Sequence, residues 1–299
     1  MTVLSSISAE QHVLIAGPTA SGKSGLALEI AESQGGVIVN ADALQIYDNW
    51  QILSARPSDA DEARAQHLLY GHLPGHQGYS VGQWLRDVAP ILNGNRAIIT
   101  GGTGLYFSAL TEGLADIPAT PDHIRNKANE IIAAEGFETL REALDSETLA
   151  RIDVQNPMRV QRAWEVLQAT EKPIWHWQDN TPPPLLSLAD CTPLLVDAPK
   201  DWLTPRIEQR FDLMLADGAL DEARANLANW SPSAPSSKTI GALELIQHVS
   251  GELSLDRARE AVTIATRQYA KRQRTYFKKR MKHWEIYDPI SERIGKRAF

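Results

Sequence analysis

The sequence predicts an α/β protein: a parallel sheet with helices on both faces, interrupted by an inserted all-helical domain. Three observations carry this prediction. Short β-branched runs alternate with helical stretches over the first hundred residues, strand character disappears between Thr120 and Asn180, and it returns at Leu194–Val196. Strands that alternate with helices pair in parallel and are covered on both faces. Sheets of this kind bind ligands beyond the carboxyl ends of their strands.

In chain order, His12–Ala16 (HVLIA) reads as a buried strand and Ser24–Glu32 as the helix after it. Val37–Val39 is a second strand, ended by Asn40-Ala41-Asp42, and Ala97–Thr100 a third, ended by Gly101-Gly102-Thr103. All three strand ends carry glycine or polar residues, where a site belongs. Thr120-Pro121 and Asn156-Pro157 each read as an N-cap followed by proline at the first helical position. The prolines Pro182, Pro183 and Pro184 form a stiff extended connector. These signals place a core at residues 1–118 and 186–299 and a helical insertion at 119–185. Beyond the resumed strand, Thr204-Pro205 reads as the cap of a helix that sets Ile207, Phe211, Met214 and Leu215 on one face. Arg206 then falls in its first turn, where the helix dipole disfavours a cation. A longer helix starts near Ser254, and the remainder is read as helical.

Composition narrows the class. At 43% hydrophobic and 22% charged over 299 residues, the chain is an ordinary globular protein. No run approaches the roughly 18 apolar residues of a membrane span, and the N-terminus lacks the basic start of a signal peptide. A cytoplasmic monomer is expected. Cys191 is the single cysteine, so neither a disulfide framework nor a cysteine zinc site is possible, and it reads as a small buried hydrophobe. The net charge of −7 argues against a nucleic-acid partner on a global scale. Binding, however, follows where charge sits, and Arg267 to Lys282 holds eight Lys or Arg residues without one Asp or Glu.

The segment Gly17-Pro18-Thr19-Ala20-Ser21-Gly22-Lys23-Ser24 matches the phosphate-loop pattern G-x4-G-K-[ST] in full, between a strand and a helix. Its glycines let backbone N–H groups converge on phosphate oxygens at a helix N-terminus. Lys23 would neutralise terminal phosphate charge, and the Ser24 hydroxyl can ligate Mg²⁺. This makes the core P-loop NTPase-like. The motif specifies phosphate and leaves the rest of the ligand open.

Asp42 ends the second strand, where a carboxylate can serve Mg²⁺ or act as a general base, or simply cap the next helix. Gln45 and Tyr47 follow at positions that can face the same cleft. Gly101-Gly102-Thr103-Gly104 is a second glycine-rich turn, and Thr103 could offer a hydroxyl and an N–H to a second phosphate or a developing anion. Arg206 and Arg210, four apart, present two guanidiniums on one helical face, suited to phosphate or to solvent. Arg267, Lys271, Arg274 and Lys278 form one helical stripe interleaved with Tyr269, Tyr276 and Phe277. Evenly spaced cations on a rod suit an RNA backbone.

Taken in order, these residues resemble the tRNA dimethylallyltransferase (isopentenyl-diphosphate:tRNA transferase) family, over roughly Val13 to Trp284. The resemblance rests on GPTASGKS, ADALQIY, Ser54-Ala55-Arg56-Pro57, Tyr79-Ser80-Val81 and GGTGLY. It continues through Ile124-Arg125, the Asn156–Ala163 stretch, Arg206–Phe211 and Thr266–Gln273. It implies transfer of a dimethylallyl group from dimethylallyl diphosphate to the exocyclic amine of the adenosine just 3′ of the anticodon, tRNA position 37, flipped into a channel. It further implies Asp42 as general base. Thr103 and Arg210 would hold the diphosphate with Lys23 and the loop residues Gly17, Thr19, Ala20, Ser21, Gly22 and Ser24, with Mg²⁺ on Ser24. Asp42, Ala43, Leu44 and Gln45 would meet the flipped base. Arg125, Met158, Arg159, Val160, Gln161 and Arg162 would touch tRNA from the insertion. Two positions depart from the family: Ala43 stands where serine is usual, and Ala242 where Gly-Tyr often ends. A small-molecule phosphotransferase would explain the phosphate loop but leave the basic stripe idle. A non-catalytic RNA-binding module would leave the loop, Asp42 and Thr103 idle.

Overall fold

The computed structural model describes residues 7–291. The strands are β1 (His12–Ala16), β2 (Val37–Asn40), β3 (His67–Leu68), β4 (Ala97–Gly101), β5 (Cys191–Val196) and β6 (Glu285–Tyr287). They form one sheet in the order β3-β2-β4-β1-β5-β6, every neighbouring pair parallel. The central strands are short apolar runs because both of their faces are buried. On β1, Leu14 and Ala16 enter one core with Trp84, Phe107 and Phe277, while Val13 and Ile15 enter the other with Leu26 and Ile30. Chain order reverses across β1, with β4 on one side and β5 on the other, so the carboxyl end of β1 is the switch point where such sheets bind ligands.

The helices before the insertion are α1 (Lys23–Gln34), α2 (Asp59–Arg64), α3 (Val81–Gly94) and α4 (Gly104–Glu112). Residues Glu112–Pro184 form a compact unit of their own, while Met1–Thr111 and Leu185–Phe299 form the other; the expected insertion had begun at residue 119. The smaller unit holds α5 (Asp122–Glu135), α6 (Phe137–Glu142), α7 (Ser146–Arg151), α8 (Pro157–Thr170) and α9 (Ile174–Gln178). Its own core includes Leu140, Val160, Trp164 and Ile174. Asn156 caps α8 through bonds from the Met158 and Arg159 amides, with Pro157 in the first turn. At α5 the expectation is one residue off: Pro121 is itself the cap residue and the helix begins at Asp122.

The larger unit ends with α10 (Lys200–Ala216), α11 (Ala219–Leu227), α12 (Ala242–Val249) and α13 (Leu255–Arg280), which share a core around Trp50, Phe211, Leu245 and Val262. Helix α10 starts at Lys200 and not after Thr204, so Pro205 lies inside it and Arg206 is beyond the first turn. The segment after α13 is not helical throughout, because Glu285–Tyr287 pairs with β5 as an edge strand. Ser254 caps α13 by accepting from the Arg257 amide. Among the described residues no helix is long and apolar enough to cross a membrane.

Candidate active site

The phosphate loop wraps from β1 to α1, with Gly22 at φ 90 and Ala20 at φ 61. A left-handed φ costs glycine little and alanine more, so Gly22 is the residue the loop requires. Lys23 turns back over the loop and donates to the Pro18 carbonyl at 3.4 Å. Burial pushes its ammonium down from 10.5 to about 8, with Asp42 drawing it up and Arg210 pressing it further down. Arg210, on α10, donates from Nη1 to Thr19 Oγ1 at 3.0 Å. Burial lowers the pKa of Arg210; Asp42 opposes this and Arg206 adds to it. Arg206 stacks on Trp202 at 4.2 Å and donates from Nε to the Ala20 carbonyl at 3.0 Å, bracing the loop.

Asp42 is fixed from behind. Asn40, fully buried, accepts the Asp42 amide at 2.8 Å and donates back to the Asp42 carbonyl at 3.0 Å. Trp84 in turn donates to the Asn40 carbonyl at 2.8 Å. Asp42 Oδ1 accepts the Leu44 amide at 3.1 Å, which orients the carboxylate while leaving Oδ2 for other partners. Its charge helps to raise the pKa of the Tyr70, Tyr106 and Tyr269 phenols, after burial as the first cause. Thr103 accepts the Ala43 amide through Oγ1 at 2.9 Å and donates its own N–H to the Ala41 carbonyl at 3.1 Å, which ties the second glycine-rich turn to the Asp42 segment.

Thr19, Lys23, Asp42 and Arg210 share one cleft, and Thr103 is not among its lining residues. With these polar groups the lining includes Leu53, Phe211, Met214 and Val262, which pack together in one apolar cluster, and also Ile207 and Tyr269. A second hollow shares Lys23 and Arg210 and adds Ala20, Gly22, Ser24 and Arg206. Leu44 and Gln45 line the cleft as well. Gln45, however, commits its amide Nε2 to the Ser54 and Ala55 carbonyls at 2.9 and 3.0 Å, so only its Oε1 is left to face a ligand. Gly17 and Ser21 are buried under the loop, with no partner for Ser21 Oγ.

Among the described residues no group of three or more His, Cys, Asp or Glu side chains could hold a metal. Ser24, at the start of α1, and Thr100, at the end of β4, line a common hollow, and the buried Thr100 Oγ1 has no hydrogen-bond partner. Two hydroxyls and no carboxylate cage fit an ion held mainly by phosphate oxygens and water, as Mg²⁺ commonly is.

The remaining candidates lie elsewhere. On α13, Lys271 and Lys278 are exposed and Arg274 is half-buried, with its Nε unpartnered; Arg267 is ion-paired with Glu208 of α10. In the smaller unit, Met158 is 74% exposed and Arg159 is exposed too. Val160 differs: it is fully buried in that unit's core, so its side chain is out of reach of any partner. Arg162 donates to Thr120 at 2.6 Å, Gln161 to Asn129 and Glu165 at 2.9 and 3.0 Å, and Arg125 lies 4.0 Å from Glu165. Ala242 is fully buried among the helices, so that departure from the family faces the core.

A phosphate loop at the switch point of a parallel sheet, opening on a cleft lined by both charged and apolar side chains, defines a P-loop-fold protein. The family is settled by comparison. The IPP transferase family model matches residues 45–280, and the Isopentenyl transferase model matches residues 10–70. The tRNA dimethylallyltransferase of Ruegeria sp. (strain TM1040) is 59% identical over 97% of this chain and 99% of its own. That of Dinoroseobacter shibae is 58% identical over 96% and 98%. Among solved structures, the tRNA delta(2)-isopentenylpyrophosphate transferase of Staphylococcus epidermidis superposes with a TM-score of 0.63 at 28% identity, over 96% of this chain and all of that one. A eukaryotic dimethylallyltransferase acting on tRNA shares the fold, with a TM-score of 0.78 at 22% identity over 94% of this chain and 74% of its own. The chain belongs to the IPP transferase family.

Proposed function

We propose that this protein transfers a dimethylallyl group from dimethylallyl diphosphate to the exocyclic amine of the adenosine at tRNA position 37, releasing diphosphate. The observation that carries the reading is a cleft lined both by phosphate-binding groups and by a packed apolar cluster. Lys23, Thr19 and Arg210 meet the diphosphate, and Ile207, Phe211, Met214 and Val262 supply an apolar wall for a five-carbon chain. Burying such a chain contributes about 0.8 kcal/mol per methylene, while a nucleoside triphosphate would leave that wall against ribose and base.

In the transfer, the allylic C–O bond to diphosphate breaks as the amine nitrogen forms its bond to the same carbon. The electron pair of the broken bond leaves with the diphosphate, where Lys23, Arg210 and the loop amides stabilise the growing charge. An exocyclic amine of adenine is a weak nucleophile, and its proton passes to Asp42, whose carboxylate is held by Leu44 N–H and backed by Asn40. Ser24 would hold Mg²⁺, and the ion, when bound, would supply positive charge to the leaving group. Thr103 acts through the Asp42 segment by its bond to Ala43. The exposed cations Lys271 and Lys278 of α13 take tRNA phosphates, and Met158, Arg159 and Arg125 contact tRNA from the smaller unit. A monomer in the cytoplasm suffices for this work.

Thermal melting tests the ligand. At equal concentration with Mg²⁺, dimethylallyl diphosphate should raise the melting temperature more than ATP does, since stabilisation follows affinity. Equal or greater stabilisation by ATP would favour a phosphotransferase.

A further inference from the structure

Helix α13 has an inner side as well as the cationic outer one. There Gln273, only 5% exposed, uses both ends of its amide. Its Oε1 accepts the Thr19 backbone N–H at 2.9 Å, and its Nε2 donates to the Gly102 carbonyl at 2.9 Å. The two partners sit on different turns, the phosphate loop after β1 and the glycine-rich turn after β4, which neighbouring parallel strands bring side by side. The fit is tight: a Cβ on Gly102 would lie 2.1 Å from Gln273 Nε2.

The links extend on both sides. Beyond Thr19, its hydroxyl accepts from Arg210. Beyond Gly102, Thr103 accepts the Ala43 amide beside Asp42. One hydrogen-bonded series therefore runs from the diphosphate-facing arginine to the segment of the carboxylate, and Gln273 is its central member. No other residue in that series belongs to α13.

We propose that Gln273 is a positioning residue for the transfer reaction, setting the phosphate loop and the Thr103 turn in register so that leaving group and base face one allylic carbon. The proposal rests on the diphosphate lying at Lys23 and Arg210 and the amine at Asp42. Strand pairing between β1 and β4 ends at Ala16 opposite Gly101, and beyond that pair Gln273 bonds to both turns. A misplacement of about 1 Å at a reacting centre can cost roughly a hundredfold in rate.

The test compares Gln273→Met and Gln273→Glu with the wild type and with Lys23→Ala. Methionine keeps length and packing but removes both hydrogen bonds. Glutamate keeps an acceptor for Thr19 and loses the donor for Gly102, setting two acceptors against each other. Steady-state transfer is measured with each substrate varied, alongside melting and hydrogen exchange of the Thr19 amide. In Gln273→Met, kcat should fall about ten- to a hundredfold and KM for dimethylallyl diphosphate should rise. KM for tRNA should stay within about twofold, and Thr19 should lose exchange protection. Gln273→Glu should lose kcat as well, which keeps the test open if the methionine variant fails to fold. A folded Gln273→Met enzyme with wild-type kcat and wild-type KM for dimethylallyl diphosphate overturns the proposal. So does a variant that only melts earlier and turns over normally per folded molecule. If Lys23→Ala also binds dimethylallyl diphosphate normally, the underlying placement of the diphosphate is wrong and the proposal falls with it.

Discussion

Dimethylallyl diphosphate should bind more weakly as pH rises from 7 to 9, and Lys23 is the reason. Burial holds the ammonium of the free protein at about 8 instead of 10.5. A bound diphosphate replaces lost hydration with opposite charge and lifts that value, so above pH 8 the complex carries more protons than the free enzyme. Affinity is then nearly full at pH 7 and falls by about tenfold at pH 9. Calorimetry at pH 8.5 in buffers of different ionisation enthalpy should record uptake of about 0.8 proton per ligand. Lys23→Arg, whose guanidinium stays charged, should remove most of the dependence, and subtracting its profile from that of the wild type cancels the ligand's own titration. The same displacement acts on folding in a fixed sense. A base whose folded pKa lies below its unfolded one destabilises the fold fully below about pH 8, and the cost fades as pH climbs toward 10.5. Replacing it by an apolar side chain, Lys23→Met, should therefore raise the melting temperature of the ligand-free protein at pH 7, by at most about 3 kcal/mol of stability, while abolishing diphosphate binding. A flat affinity between pH 7 and 9 with no proton uptake would refute this account of Lys23.

Three further outcomes follow from the geometry. Arg210→Ala removes a charge-assisted contact and leaves Thr19 Oγ1 without its donor; affinity for dimethylallyl diphosphate should drop about ten- to a hundredfold, with tRNA affinity unchanged by filter binding. Glu222 accepts the amides of Gln51, Ile52 and Leu53 and so fixes the strand of loop that brings Leu53 and Ser54 to the cleft; Glu222→Ala should cost about 1–3 kcal/mol in urea unfolding, and an unchanged midpoint would show that the loop is held otherwise. Lys271→Glu combined with Lys278→Glu should weaken tRNA binding and reduce its log–log salt slope by about one to two, while melting with dimethylallyl diphosphate stays as in the wild type; an unchanged slope would reject α13 as a phosphate rail.

How much of this was legible beforehand depends on how locally each feature is encoded. Strands β1, β2 and β4 show in the sequence to within a residue, because strands buried on both faces must be continuous apolar runs. The two edge strands do not. His67–Leu68 and Glu285–Tyr287 are two and three residues long, partly polar, and exist because a neighbour offers a free edge. Thr204-Pro205 imitates a helix start, yet α10 begins a turn earlier and carries Pro205 inside, where Thr204 bonds to the Lys200 carbonyl at 3.0 Å. That longer helix gives Arg206 a tryptophan four residues back to stack on, a pairing invisible from the cap assignment. The phosphate loop was fully legible because its chemistry is contiguous. Asn40, Glu222 and Gln273 were not, since each is a lone polar residue whose partners lie on other segments. In the sequence Gln273 shows only as the last residue of the Thr266–Gln273 stretch within a basic stripe, with nothing to say that it faces inward.

The most direct test is nucleoside analysis of tRNA after incubation with labelled dimethylallyl diphosphate and Mg²⁺, with wild-type enzyme beside Asp42→Asn. The account predicts label on the exocyclic nitrogen of adenosine 37 without any requirement for ATP. It also predicts turnover lowered about 10²- to 10⁴-fold in the asparagine variant, with tRNA still bound. Label absent from tRNA, or an Asp42→Asn enzyme that prenylates at the wild-type rate, would contradict it.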